Sequence, residues 1–323
     1  TGAGGSIGSD LSLKIISKRP KTLVLLDFSE INLFKLRNLI YSKKIDQDLN
    51  IKFVLKNLNN HNEISDLFIK YNFDYVYHAA AYKHVNIVEE NKISAFKNNV
   101  VAFNTLIKIS LQNDVKKFIL ISTDKAVSPT SFMGLTKRIC EIILLFYSEK
   151  IHDNDKKNYF IVRFGNVFES SGSVIPLFKK QIDEGKPITL TSENATRFFM
   201  SIPEAVNLIL SAQKIVKKNE IFIFEMGKPV KIIDIAHKLI FLKSLETNHI
   251  GNFPIKIIGL REGEKEHEVL SSGKLIKTQT LNIFESEEKK IDLNLEKNLI
   301  QKIENYKFDH NFYEFEQIVK KID

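Results

Sequence analysis

The sequence is short of cysteine, short of arginine and without a long apolar run, and each shortage closes off a class of protein. A single cysteine, Cys140, in 323 residues excludes an internal disulfide and leaves no thiolate set for a metal site. It reads as a small buried apolar side chain on a helix. No apolar stretch approaches the roughly 18–20 residues that cross a bilayer. There is no signal-peptide pattern either, the chain opening directly on a glycine loop. Lysine and arginine together number 47 and give a net charge of +8, but only six are arginine. Without clustered arginine or stacking platforms, nucleic acid is not the expected partner. Scattered lysine reads as solvated surface, and a basic cleft for a phosphorylated substrate would gain from it. Arg138, Arg163, Arg197 and Arg261 lie in or beside motif-like stretches, where a planar fork that grips phosphate is not replaced by lysine.

What is present is the make-up of an ordinary soluble globular protein, 43% apolar and 27% charged. Its length suits one large or two modest domains, and no repeat or low-complexity tract interrupts it. Thr1-Gly2-Ala3-Gly4-Gly5-Ser6-Ile7-Gly8 is a phosphate-cradling turn that opens a helix near Ser6. Glycines let backbone approach a pyrophosphate, and the helix N-terminus offers free N–H groups and positive dipole. A strand from Thr22 follows and ends at Asp27, an acidic residue about 20 positions on, where a dinucleotide's ribose hydroxyls are gripped. A carboxylate there favours NAD over NADP. Because this fingerprint normally follows a strand, the sequence is expected to be a fragment whose upstream part, with any membrane anchor it carried, is missing.

Strands and helices then alternate, which predicts a doubly wound parallel sheet of Rossmann type in an α/β protein. Expected strands are 51–55, 74–77, 118–121 and 159–163, with a helix over 93–110. His78-Ala79-Ala80-Ala81-Tyr82-Lys83-His84 follows the second of these. Its small residues let backbone pass close to a cofactor, while Lys83 and His84 read as phosphate or substrate contacts or as exposed loop. The stretch around which the chain is organised is Phe118–Lys137. Its buried strand ends in Ser122-Thr123-Asp124-Lys125, and in an open parallel sheet ligands bind at the carboxyl ends of strands. Past Pro129, Met133 and Lys137 share a helical face. Expected domains are a dinucleotide-binding domain over 1–165 to which later segments return, a smaller mixed α/β lobe over 166–284, and a charged helical tail over 285–323. Pro254–Gly259 is expected to be the last strand.

The motifs together resemble the extended short-chain dehydrogenase/reductases. More closely they resemble the UDP-N-acetylglucosamine 4,6-dehydratases of capsular and O-antigen polysaccharide biosynthesis. The resemblance is carried by Thr1–Gly8, Thr123-Asp124-Lys125 with Met133 and Lys137, Val162–Val167 and Gly259–Lys265, and also by His78–Val85 and Thr196–Ala205. It implies NAD(P)+ as cofactor, no metal, a UDP-sugar substrate and a cytoplasmic enzyme, on the inner face of the membrane if an anchor precedes Thr1. It also implies a homo-oligomer formed through the helix that carries Lys137. By resemblance, Asp124 is the acid for the leaving C6 hydroxyl, Lys125 the base at C5, and Thr123 the hydrogen-bond partner of O4. Lys137 binds nicotinamide ribose, and Asn166, Arg197 and Arg261 contact the UDP portion. Met133 stands where most of the superfamily has tyrosine; the polysaccharide branch shares the methionine, and a thioether cannot take the O4 proton. A C5-inverting dehydratase, a 4-epimerase and a catalytically inert dinucleotide-binding protein are the alternatives.

Overall fold

Apolar residues without alternation make strands covered on both faces, and the central sheet is built from them. In the computed structural model, which describes residues 1–43, 49–151, 157–217, 220–247, 253–288, 292–307 and 311–323, these runs form β1 (Thr22–Asp27), β2 (Asn50–Leu55), β3 (Tyr75–His78), β4 (Lys117–Thr123) and β5 (Asn158–Phe164). β3, β4 and β5 pair in parallel, and the strand Ile221–Phe224 continues the parallel order beyond β5. β1 and β2 form a separate parallel pair. Between that pair and β3 runs the backbone of Thr1–Ala3, with Ala3 N–H donating to Leu26 O at 3.1 Å and Ala79 N–H donating to Thr1 O at 3.2 Å. Phe118, Ile119 and Leu120 of β4 are fully buried, and their burial fixes the height at which Thr123 and its successors leave the sheet.

The helix foreseen over 93–110 runs without a break over 92–112, with a π-helical turn at Lys97–Val101. Two expectations about the chain's course need correction. Pro254–Gly259 is not the last strand. Lys274–Lys277 and Ile283–Glu287 add two antiparallel strands to the edge of the main sheet, the second of them spanning the boundary expected at 285. Their mixed Lys, Ser and Glu faces show no clean alternation, so pairing with a neighbour decides them rather than pattern.

The tail is also more than charged surface. Leu299, Ile300 and Ile303 on the helix Leu293–Glu304, and Phe315, Ile318, Val319 and Ile322 on Tyr313–Ile322, are buried in the main core. Spacings of three and four residues put each set on one face. They cover the helix Phe132–Ser148, of which every residue but Leu145 is buried. That helix therefore has no free face for a second copy of the chain, which corrects the expected route to an oligomer.

Arg138 and Arg163 are likewise not phosphate forks. Arg163 is fully buried on β5 and grips both oxygens of Glu141 at 2.7 and 2.6 Å. Arg138 reaches Glu141, Glu288 and Asp323, and Glu288 also binds Arg163. Ser122 donates to Glu141 at 2.6 Å, so this ionic cluster underpins the strand residue just before Thr123.

Candidate functional site

Two features meet at the carboxyl edge of the sheet. The first is the glycine turn. Gly2 has φ +64°, and a Cβ there would lie 2.7 Å from the Ala80 backbone, so the turn is pressed against the Ala79–Ala81 stretch. A Cβ on Gly8 would lie 2.0 Å from Gly2 O. The helix Ser6–Ile16 that follows has Gly5 at its N-cap and no side chain capping it, which leaves its first amides to a ligand. Asp27 closes the turn, accepting from Gly4 N–H at 3.0 Å and Ser29 N–H at 2.9 Å. Gly4, Gly5, Ser6, Ile7 and Asp27 thus belong to one cradle. Gly8→Ala is expected to lose nucleotide affinity at least tenfold, or to fail to fold, because a clash with backbone cannot relax by rotamer change. Dinucleotide titration followed by fluorescence, beside a thermal melt, reads both outcomes; wild-type affinity would show that the cradle is not as drawn.

The second feature is the end of β4. Thr123 donates to Asp124 Oδ1 at 2.8 Å, and Lys125 Nζ donates to the same oxygen at 3.0 Å. Lys125 Nζ also reaches Asn166 Oδ1 at 3.2 Å. Asp124 is completely buried, and its Oδ2 has no hydrogen-bond partner among the described residues. The backbone of Gly165, just after β5, passes close to that oxygen, a Cβ there coming within 3.1 Å of it and 3.0 Å of Phe198 Cβ. Met133 is buried one turn before Lys137. Lys137 Nζ donates to Ile121 O at 2.8 Å, and burial pushes its amine below the usual lysine range, with Cys140 and Glu141 pulling the other way.

Beside this edge lies a cleft of about 210 Å³ whose wall includes Lys83, Lys125, Arg197, Arg261, Lys265 and Glu268. Burial lowers the Lys83 amine, and burial followed by Lys83 lowers the neighbouring His84 imidazole. The sequence-expected substrate residues are therefore brought together, in different postures. Arg261 is exposed at the rim. The Arg197 guanidinium is occupied by the carbonyls of Thr196, Lys265 and Glu266 and by Glu264, so it clamps residues 264–266 instead of offering a free fork. Two residues had no assigned role. Asn99 in the π-helical turn accepts from Tyr82 N–H and donates to Tyr82 O and Thr136; its signal was a pair of asparagines in an otherwise apolar helix. Glu268 is buried against Lys125 Nζ at 3.8 Å, and as one of four glutamates at alternate positions over 262–268 it gave no signal of that. Among the described residues no group of side chains could hold a metal ion, and no helix is long and apolar enough to cross a membrane.

A doubly wound sheet, a glycine turn opening an uncapped helix and an acid–amine pair at a strand end define a Rossmann-type α/β protein with a cleft beside the glycine turn. The chain belongs to the polysaccharide biosynthesis protein family, which matches residues 1–288. It is 41% identical to the capsular polysaccharide biosynthesis protein CapD of Staphylococcus aureus and 42% identical to the probable polysaccharide biosynthesis protein EpsC of Bacillus subtilis, in each case over 84% of this chain and 44% of the relative. It thus spans less than half the length of those curated relatives. A UDP-glucose 4-epimerase of Rickettsia bellii is 32% identical over 88% of this chain and 80% of its own. Among solved structures, Pen from Bacillus thuringiensis superposes with a TM-score of 0.79 at 29% identity, covering 94% of this chain and 95% of that one.

Proposed function

We propose that the protein is a nucleotide-sugar 4,6-dehydratase that converts UDP-N-acetylglucosamine to a UDP-4-keto-6-deoxy sugar for surface polysaccharide. The observation that carries this reading is the Asp124–Lys125 pair, joined at 3.0 Å at the end of β4, with a thioether at Met133. Elimination across C5 and C6 needs an acid and a base side by side. A 4-epimerase returns hydride to C4 and eliminates nothing, so it has no use for an acid beside the base.

The residues present fit a nicotinamide dinucleotide. The Gly2–Gly8 turn and the helix from Ser6 would take its pyrophosphate, Asp27 a ribose diol with NAD favoured over NADP, Ala79–Ala81 the flank, and Lys137 the nicotinamide ribose. When bound, the nicotinamide supplies a reversible acceptor for hydride. The chain does the rest. Thr123 hydrogen-bonds O4 of the sugar. Once C4 is a ketone the C5 proton is acidic, and Lys125 takes it. Asp124 gives its proton to the departing C6 hydroxyl. Lys83, Asn166 and Arg261 bind the UDP portion, and Arg197 keeps the 264–266 wall in place. The dinucleotide-binding domain over 1–165 and the lobe over 166–284 share the site, and any homo-oligomer would assemble through faces other than the Phe132–Ser148 helix.

Mass spectrometry of UDP-N-acetylglucosamine incubated with the protein is expected to show loss of one water, ~18 mass units. Proton NMR in deuterated water is expected to show a 6-deoxy-4-keto product, with ring couplings that report C5. An epimer of unchanged mass, or bound cofactor with no product, would overturn the reading.

A further inference from the structure

The reaction leaves one proton without a holder. Oxidation at C4 frees the O4 proton, and Met133 cannot accept it. Lys125 Nζ, however, stands between two buried carboxylates, at 3.0 Å from Asp124 Oδ1 and 3.8 Å from Glu268 Oε1. Glu268 lines the cleft, and its Oε2 is buried with no hydrogen bond, the nearest ammonium being Lys265 Nζ at 4.0 Å. A buried unpaired oxygen calls for an explanation. The segment that carries Glu268 is fixed from three sides. Arg197 holds its carbonyls, Thr196 N–H donates to Glu266 O at 3.0 Å, and Lys265 Nζ donates to Val127 O at 2.7 Å.

We propose that Glu268 is the proton store of the site, taking the O4 proton through Lys125 and returning it to Asp124 when the cycle closes. This rests on the dehydratase reading and adds a residue to it. The reactive form arises when the Lys125 ammonium passes a proton to Asp124 across their 3.0 Å hydrogen bond, leaving Asp124 protonated, Lys125 neutral and Glu268 ionised. As hydride leaves C4 the O4–H bond breaks, and its proton passes to Lys125, by way of Thr123 or a water, and on to Glu268. Lys125, neutral again, takes the C5 proton while the C6–O bond breaks and Asp124 protonates the departing hydroxyl to water. Hydride returns to C6 and Lys125 returns its proton to C5. One proton is then on Glu268 and one is missing from Asp124, and Lys125, adjacent to both, carries it across. A gap of 3.8 Å closes by a lysine rotamer change, and proton-transfer contacts tighten once substrate is bound. The groups that face Glu268 are Lys125, Asp124, Arg197 and Lys265. Burial raises its carboxyl above the usual glutamate range despite those three cations, with Asp124 adding to the rise, as a proton acceptor in this position requires.

The test uses glutamate carboxyl-13C NMR and steady-state kinetics on the full chain. Glu268→Gln keeps the shape and removes the store. It is expected to lower kcat by roughly 10²-fold, to leave KM for the UDP-sugar within about twofold, and to erase the acid-side limb of the pH–rate profile. The wild-type spectrum should contain a glutamate resonance titrating above the normal range that is absent from Glu268→Gln, beside that of Glu296, whose carboxyl burial pushes up to about 7. In Lys125→Met the Glu268 resonance should titrate higher still, a readout that needs neither turnover nor a folded Glu268→Gln. Dehydration by the wild type together with an unshifted Glu268, or with an unchanged pH profile in Glu268→Gln, would overturn the proton store alone. Absence of dehydration by the wild type would overturn the parent reading.

Discussion

Asp124→Asn is expected to reduce water loss from UDP-N-acetylglucosamine by about 10²–10⁴-fold, the usual worth of a positioned general acid, with little change in stability. Asparagine keeps an oxygen to accept from Thr123 and Lys125, contacts now made at 2.8 and 3.0 Å. It fills the same space beside Gly165 and lacks only the proton. The block should fall after oxidation at C4, so reduced nicotinamide absorbance should accumulate on mixing enzyme and substrate while the water-loss product does not. Lys125→Met is expected to stall earlier, at oxidation of C4, since the O4 proton then has no route to Glu268, and reduced nicotinamide should not accumulate. Rapid turnover by either variant would remove the acid–base pair from the mechanism.

Glu141→Gln is expected to cost about 3–5 kcal/mol of stability, the range for breaking a buried ion pair by deleting one partner. Its carboxylate receives Arg163 at 2.7 and 2.6 Å, Arg138 at 3.2 Å and Ser122 at 2.6 Å. An amide leaves two buried guanidinium groups with reduced compensation. Since whole domains are stable by only about 5–15 kcal/mol, the shift should be plain in the urea midpoint. The pH dependence has a definite sign. Burial pushes the Glu141 carboxyl up, but Arg163 and Arg138 more than reverse it, leaving it below the ordinary glutamate range. Its contribution is then complete above the unfolded-state value, near pH 4.3, and is lost as pH falls through the folded one. The variant should lack that part of the acid-side decline. A midpoint within 1 kcal/mol of wild type would show the cluster to be energetically idle.

The sites differ in how legible they were. Gly2, Gly4, Gly8 and Asp27 could be read directly, because close backbone approach leaves a mark in residue type that no other pressure imitates. Thr123, Asp124 and Lys125 were legible for a related reason, polar groups crowding the end of an apolar run. Arg163 and Arg197 stood in equally distinctive stretches, yet one sits in a buried ionic cluster and the other clamps a loop. A guanidinium's partner is set by what the fold carries to it, and Glu141, Glu288 and the carbonyls of 265 and 266 come from elsewhere in the chain. Asn99 and Glu268 failed for the same reason.

The sequence by itself therefore determined the alternation of strands and helices, the glycine turn closed by Asp27 and the adjacent acid and amine at the end of β4, all of them local consequences of side-chain period, backbone freedom and adjacency. Only the tertiary structure decided that residues 274–287 complete the sheet, that the last two helices cover the Phe132–Ser148 helix, and that Glu268 comes within 3.8 Å of Lys125. Those outcomes depend on contacts between segments far apart in the chain, about 60 residues for the added strands and more than a hundred for the helices and Glu268, where burial and charge pairing act through space and leave no periodic trace along the backbone.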